Sequence, residues 1–545
     1  MSFPSQTKYI VGNEACERFS FYGMRSILTL YMTHMLLMSD QEAMEIAHLF
    51  NAGIYILPLL GAWIADRFLG RYKTILFISL FYCVGHAVLA AADLVNTVEA
   101  RQLILFIGLF IIAMGAGGIK PCVSAFVGDQ VEGQKDSSIM TRVYAAFYWS
   151  INLGSFFSFL IIPWVRQNWG YSWAFGIPGI FMGIATFIFW CGRKEYRHKA
   201  PAQPQFLPAL FTRLFGGRER AVSRYGAETV QQSLDTALNI FAFIVIAPLV
   251  ILLGQQTQSG AIRLAQLSGA SETTASLCGL CALLLYAAAG ITAALRLAAA
   301  LGARGFFGLM GSMMFDNAAD CAARHSEEER RGAHNLLRVL IVFAMIIPFW
   351  SLFDQTMTSW VLQGEKMQAI TLNTSWCRFA FGSEEMQSFN PLLVMIFVPV
   401  MTLLVYPRIG RWSSPLKRMG IGIVLAGLSY GVVAALQQMI DNGAQLSIMW
   451  QGVPYLMLTL SEILVSTTGL EYAYTAAGQN MKSLVSSFWF LTSTLGNFLV
   501  IYLTSIVSDP ASVSTFLLYG ALAVAIGLLF LFVTTRRYFV EGMDK

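Results

Sequence analysis

An all-α membrane protein of fourteen helices, two six-helix bundles with two extra inserted transmembrane helices, is what this sequence predicts. Three observations carry that reading. The 545-residue chain is 56% hydrophobic and only 12% charged, with a mean hydropathy of +0.59, whereas soluble domains run about 25% charged. Apolar runs of the roughly 20 residues needed to cross a bilayer recur along its whole length. Their grouping of six, two and six is set off by polar stretches at 193–232 and 303–334.

Taken in order, the first six spans fall near 14–36, 46–66, 75–95, 102–128, 140–163 and 171–192, so residues 1–192 form the N-terminal bundle. Residues 193–334 hold the linkers and the inserted pair, near 233–255 and 273–300. The C-terminal bundle occupies 335–545, with spans near 335–360, 390–407, 416–437, 451–473, 484–506 and 513–535. Lys and Arg concentrate on the cytoplasmic side of membrane proteins. Here Arg67, Arg71 and Lys73 follow the second span, Lys135 and Arg142 the fourth, Arg408, Arg411, Lys417 and Arg418 the span at 390–407, and Arg536 and Arg537 the last. The alternate stretches 37–45, 438–450 and 507–512 hold neither residue. Both termini are therefore expected in the cytoplasm. The first apolar segment carries Glu17 and Arg18 and lacks a small-residue cleavage pattern, so it reads as a span and not as a cleaved signal peptide.

The eight cysteines sit mostly in apolar runs and read as small core residues. Cys278-Gly279-Leu280-Cys281 has CxxC spacing, but no second ligand pair accompanies it. No metal or other cofactor is expected. The net charge of +5 is not gathered on a soluble module, which excludes a nucleic-acid partner. No metal cluster, nucleotide loop or Ser-His-Asp pattern points to an enzyme.

Charged groups inside the spans carry the functional signal. Glu14, Arg18 and Arg25 fall near one face of the first helix, with Glu17 one short step away. Each such group costs about 2.5–3.5 kcal/mol on insertion scales, so they must face an interior cavity and need partners. Lys120, in Gly115-Ala116-Gly117-Gly118-Ile119-Lys120-Pro121, lies about 27 Å of helical rise from the outer start of the fourth span. That places it in the same inner half. A lysine facing two carboxylates and an arginine makes a titratable network. A proton on one Glu frees a cation for an anionic group, and loss of the proton restores the ion pair. The alternative is a structural salt-bridge lattice, but two acids stand where one would balance Arg18. Glu462, in Leu460-Ser461-Glu462, lies close to the midplane of its helix. A lone acid there is a binding-site candidate, and its natural partner is an amine. The alternative is an acid kept neutral by burial. Arg25 and Asp354 lie in the outer halves of their helices, one per bundle, where a pair would latch the outer side. Tyr22, Tyr55, Tyr148, Asn152, Trp350, Asn390 and Trp489 line the same depths and together suggest a cavity, although each singly suits packing equally well. His48, near the outer start of the second span, suits a proton relay or an interfacial position.

Two patterns then resemble known families. Gly61-Ala62-Trp63-Ile64-Ala65-Asp66-Arg67-Phe68-Leu69-Gly70-Arg71 resembles the loop signature of the major facilitator superfamily. Glu14-x-x-Glu17-Arg18-Phe19-Ser20-Phe21-Tyr22-Gly23 resembles the Glu-x-x-Glu-Arg-Phe-x-Tyr-Tyr-Gly motif of the proton-dependent oligopeptide transporters. Phe147-Tyr148-Trp149-Ser150-Ile151-Asn152-Leu153-Gly154-Ser155 looks like that family's fifth-helix signature. Lys120, Phe349-Trp350, Phe389-Asn390-Pro391, Ser461-Glu462 and Phe488-Trp489-Phe490 match in order. The inserted pair is similar to that of bacterial members. The resemblance implies a monomeric symporter that imports di- and tripeptides with protons across a bacterial inner membrane, driven by the proton gradient. It implies that Arg18 and Lys120 bind the peptide carboxylate and Glu462 its amine. It implies that Tyr22, Tyr55, Asn152, Asn390, Trp350, Ser466 and Trp489 line the cavity, that Glu14, Glu17 and His48 couple to protons, and that Arg25 and Asp354 form the outer gate. The sequence departs from the motif at Phe21, which lacks the first tyrosine's hydroxyl, and at Phe353, where many members carry an acid. A small-anion transporter of the same fold would use Arg18 and Lys120 but leave Glu462 unexplained. A membrane ligand sensor that does not transport is the remaining alternative.

Overall fold

The computed structural model describes residues 4–131, 137–201, 205–300, 306–373, 378–409, 414–469, 472, 482–507 and 509–534. Fourteen long or spanning helices organise it among the described residues. In the first half they are α1 (Thr7–Leu30), α2 (Asp40–Ile64), α3 (Arg71–Ala90), α4 (Val98–Val131), α5 (Ser137–Trp169) and α6 (Tyr171–Cys191). The inserted pair is α7 (Ala227–Leu267) and α8 (Glu272–Ala300). The second half holds α9 (Glu327–Phe353), α10 (Phe389–Val400), α11 (Pro415–Asp441), α12 (Gly452–Glu462), α13 (Lys482–Ile506) and α14 (Val513–Thr534). A bilayer offers no hydrogen-bond partners, so a helix that satisfies its own backbone is the form such apolar runs must take. By length and hydropathy, ten helical segments among the described residues suffice to cross a membrane. Neither α1, α2 nor the inserted pair is among the ten. In α1 the reason is plain, because five charged side chains dilute its apolar character.

Two compact units result, residues 1–201 with 339–545, and residues 202–338. In the first, α1 packs on α5 and α6, α3 on α4 and α6, and α11 on α12 and α14. The two halves meet where α2 packs on α13 and α5 on α10. Small residues permit the closest approaches. A Cβ on Gly61 of α2 would stand 2.5 Å from Gly118 Cα of α4, and one on Gly427 of α11 would stand 2.6 Å from Gly520 O of α14. On Gly154 of α5 it would strike the backbone of Ala15 in α1. In the second unit, α7 packs against α8 and against a short helix, Phe206–Gly216, and α8 packs against Phe306–Phe315.

Several sequence expectations are corrected. The first helix begins at Thr7, not near 14, so Glu14 and Arg18 sit two turns or more inside it. The polar stretches are largely helical, including Arg218–Tyr225 and Ala318–Arg324. The loop at 361–389 folds into an antiparallel hairpin, β1 (Ile370–Asn373) with β2 (Arg378–Phe381), in the register Ile370 to Phe381. The start of the linker after α6 packs back on the bundle as a strap. Tyr196 is buried against Tyr9, Tyr72, Phe126 and Phe189. The Gln130 side chain accepts the Arg197 N–H at 2.8 Å and donates to the Arg197 carbonyl at 3.1 Å. Glu195 accepts a hydrogen bond from Tyr9, and hydroxyls of Ser5 and Tyr9 hold its carboxyl below the usual range. Lys135, Arg411, Arg536, Arg537 and the end of the span expected to reach 473 lie outside the described residues.

The backbone contact at Gly154 makes it the sharpest test of this packing. Gly154→Leu is expected to lower stability by about 1–3 kcal/mol or more through overpacking. Gly53→Ala, which meets nothing within 4 Å, is expected to leave it unchanged. Thermal unfolding of the purified protein in detergent, followed by fluorescence, compares the two.

Candidate binding and coupling site

The chain's starting end of the first unit is here the near end, and the end with the α1–α2 loop and the β-hairpin is the far end. Arg18 lies inside α1 with its Nε 2.6 Å from Glu14 Oε1 and 3.0 Å from Glu17 Oε2. Glu14, Glu17 and Arg18 are all buried, at 1%, 0% and 7% exposure. One guanidinium thus serves two carboxylates. Glu14 Oε2 and Glu17 Oε1 have no hydrogen-bond partner among the described residues. Lys120 of α4 is half-buried and is within electrostatic range of Glu17, Arg18, Arg25 and Asp354. It does not sit on a carboxylate, as the sequence reading had it. Its Nζ lies 4.1 Å from the Phe21 ring centroid and 4.8 Å from that of Tyr55. Aromatic faces hold a cation weakly, so the ammonium donors stay available.

Across from α1, Glu462 closes α12. Its Oε2 accepts a 2.7 Å hydrogen bond from Asn390 Nδ2 of α10, and the same amide donates to Thr459 at 3.1 Å. A π-helical turn, Ile463–Thr467, follows Glu462 directly. Such turns widen a helix locally and mark functional sites often. Ser466 lies in it, with its hydroxyl unbonded among the described residues. Glu462 is half-buried and within electrostatic range of Tyr22 on α1 and Tyr148 on α5. The acid therefore faces the other half of the molecule and not lipid. Asn152 donates to the Tyr148 carbonyl at 3.0 Å. Tyr22 stacks edge-on to Phe21 and tilts against Phe159. Trp350 and Trp489 meet edge to face with centroids 6.1 Å apart.

At the far half, Arg25 Nη2 and Asp354 Oδ1 are 4.0 Å apart, at the limit of an ion pair. Asp354 has a better partner. Asn497 of α13 donates to it at 2.8 Å, and Asn497 Oδ1 accepts from His48 Nδ1 at 2.7 Å and from Asn51 at 3.1 Å. A carboxylate only accepts, which fixes the orientation of the Asn497 amide. His48 Nδ1 then carries the proton, and Nε2 meets Thr358 Oγ1 at 3.1 Å. The Thr358 hydroxyl also reaches the Gln355 carbonyl at 3.4 Å, so it has two acceptors to choose between. Further cross-links at this end join Thr29 to the Met357 carbonyl at 2.8 Å and Gln387 to the Ser26 carbonyl at 3.3 Å. Arg166 grips Glu384 through two nitrogens, at 2.6 and 2.8 Å.

The POT family (PTR2) matches residues 72–260 and 309–522. The chain belongs to the POT family. It is 35% identical to the POT family transporter PepTSo, whose in meso crystal structure superposes with a TM-score of 0.74 over 99% of each chain. An auto-inhibited POT family peptide transporter is 36% identical, with a TM-score of 0.71 over 98% of this chain and 97% of that one. Solute carrier family 15 member 2 of Homo sapiens is 30% identical over 81% of this chain and 50% of its own length. Peptide transporter family 1 of Drosophila melanogaster is 30% identical over 81% of this chain and 49% of its own. The chain spans about half the length of these curated relatives.

Within this POT family fold, sequence reasoning missed Asn497, Asn51 and Thr358, which carry no charge and so no insertion cost to betray them. It missed Thr459 for the same reason. Arg166 and the pair Glu384-Glu385 left a signal, since opposite charges bracket the ends of two neighbouring spans. It missed Asp129, which takes Arg71 at 2.6 Å and Lys199 at 2.9 Å beside the Arg71–Asp66 contact of 3.1 Å.

Arg18→Met leaves two buried carboxylates without their cation. We expect a loss of about 3–5 kcal/mol, the usual cost of breaking a buried pair, and recovery of much of it in Arg18→Met/Glu14→Gln/Glu17→Gln. Unfolding midpoints at neutral pH measure both.

Proposed function

We propose that this chain is a proton-coupled symporter that imports di- and tripeptides by alternating access, acting as a monomer in a bacterial inner membrane with both termini in the cytoplasm. The observation that carries the reading is that Arg18 and Lys120 belong to one half and Glu462 to the other, with Tyr22 within electrostatic range of both Arg18 and Glu462. A small peptide is a zwitterion with a variable middle. Cations for its carboxylate and an acid for its amine make the ligand bridge both halves, which is what closing a rocker requires. Small anions would give Glu462 nothing to do. Transport, not chemistry on the peptide, is the activity.

Coupling follows from the charge balance in α1. With Glu14 and Glu17 both ionised, Arg18 is committed to them. A proton on one carboxylate frees positive charge for the peptide carboxylate, and its departure to the cytoplasm restores the intramolecular pair and expels the peptide. Peptide transporter family 1 of Drosophila melanogaster and the auto-inhibited POT family peptide transporter support this substrate class. In this reading the near end is cytoplasmic. The cross-links among Arg25, Asp354, Asn497 and His48, with Arg166 on Glu384, hold the external side shut. Tyr22, Tyr55, Asn152, Asn390, Trp350, Ser466 and Trp489 supply the adaptable wall.

Purified protein in proteoliposomes tests the proposal directly. Uptake of a labelled dipeptide should rise when the outside is made acidic relative to the lumen and fall when an ionophore collapses the gradient. Uptake indifferent to both would refute the coupling. Lys120→Ala should abolish gradient-driven accumulation. Glu462→Gln should weaken peptides with a free amine by about ten-fold, the worth of one charge-assisted contact, and N-acetylated ones little. Equal losses would remove the amine role.

A further inference from the structure

A second polar site lies in the 202–338 unit. The first three turns of α9 and the helices Phe306–Phe315 and Ala318–Arg324 bound an open groove of about 700 Å³. Its α9 wall carries Arg330, Arg331, His334 and Arg338. Arg330, His334 and Arg338 repeat at steps of four and so line up along the helix. Arg330 and Arg331 stand at the N-terminal end of α9, where the helix dipole opposes cations, which is a poor arrangement unless something anionic lies across them. The groove's own acids are engaged. Asp316 accepts from Ser312 at 2.5 Å and from Arg324 at 3.2 Å, and Glu327 pairs with Arg331. The Arg330 Nε is buried and has no hydrogen-bond partner among the described residues. A guanidinium donor kept from water costs free energy until an acceptor reaches it.

We propose that this groove binds the phosphate group of an anionic molecule. Guanidinium forks match phosphate oxygens in pairs, which lysine does not do. Met313 and Cys321 add apolar wall, and α9 runs apolar from Val339 onward. The site therefore also suits the headgroup of an anionic phospholipid, of the kind that basic pockets beside membrane helices hold. A soluble phosphate ester offers the same oxygens.

The full-length protein, stripped of lipid in neutral detergent, separates these sources. Binding of dioctanoyl phosphatidylglycerol, of the net-neutral dioctanoyl phosphatidylcholine and of inorganic phosphate is counted by native mass spectrometry. Phosphatidylglycerol should bind about ten-fold or more tightly than phosphatidylcholine. Arg330→Gln with Arg338→Gln should erase that preference, and Arg213→Gln with Arg220→Gln, basic residues outside the groove, should keep it. Displacement of the lipid by millimolar phosphate assigns the site to soluble phosphates, and resistance assigns it to the headgroup. Equal binding of the two lipids by the unmodified protein, or a preference that survives the Arg330 and Arg338 changes, overturns the proposal.

Discussion

A single guanidinium shared by two buried carboxylates sets the terms for the rest of the structure. Arg18 cannot leave Glu14 and Glu17 without stranding charge in a medium that does not solvate it. It cannot fully satisfy both either, since three of the four carboxylate oxygens have no hydrogen-bond partner among the described residues. The local sum is one negative charge too many, and Lys120 stands within electrostatic range to answer it. A cluster so balanced has two ways to reach neutrality, a proton or a cation. On the proposed reading, that choice is the coupling device.

The two ends of the first unit use different chemistry for different jobs. At the site, Lys120 and Glu462 are half-buried, the one held by two aromatic rings and the other by a neutral amide. At the far end, contacts between the halves are short and mutually fixed. Asn497 is the junction there. It meets Asp354 with its amine and His48 and Asn51 with its carbonyl, so neither the acid nor the imidazole chooses its partner independently. Asn497 and Asp354 belong to the same half, so the acid keeps a short hydrogen-bond donor independently of Arg25, which stands at 4.0 Å.

Much of this was legible in the sequence because charge in an apolar run is costly and therefore conspicuous. Glu14, Glu17, Arg18, Lys120 and Glu462 announce themselves that way, and the helix count follows from apolar length. What escaped were features with no such cost. Asn497, Thr358 and Thr459 are polar groups that a span tolerates anywhere. The hairpin at 370–381 is set by pairing between two short segments, which local pattern does not reveal. The placement of Lys120 on rings was hidden because spacing along one helix says nothing about which neighbour comes first. The strap at Tyr196 depends on aromatic residues from four separate elements.

The departure at Phe21 then acquires a physical meaning. A tyrosine hydroxyl at that position would present an oxygen able to accept from the Lys120 ammonium. Phenylalanine offers only its face, 4.1 Å away, and a cation–π contact contributes about 0.5–2 kcal/mol without occupying any N–H in a directed bond. Tyr55 holds the amine from another side in the same manner. The ammonium is thus positioned but not spent, with all three donors open to an incoming carboxylate. Glu462 is held in a complementary way, one oxygen fixed by Asn390 and the other left for an amine. In both places the side chain is aimed by a partner that does not neutralise it, and on the proposed reading neutralisation falls to the peptide.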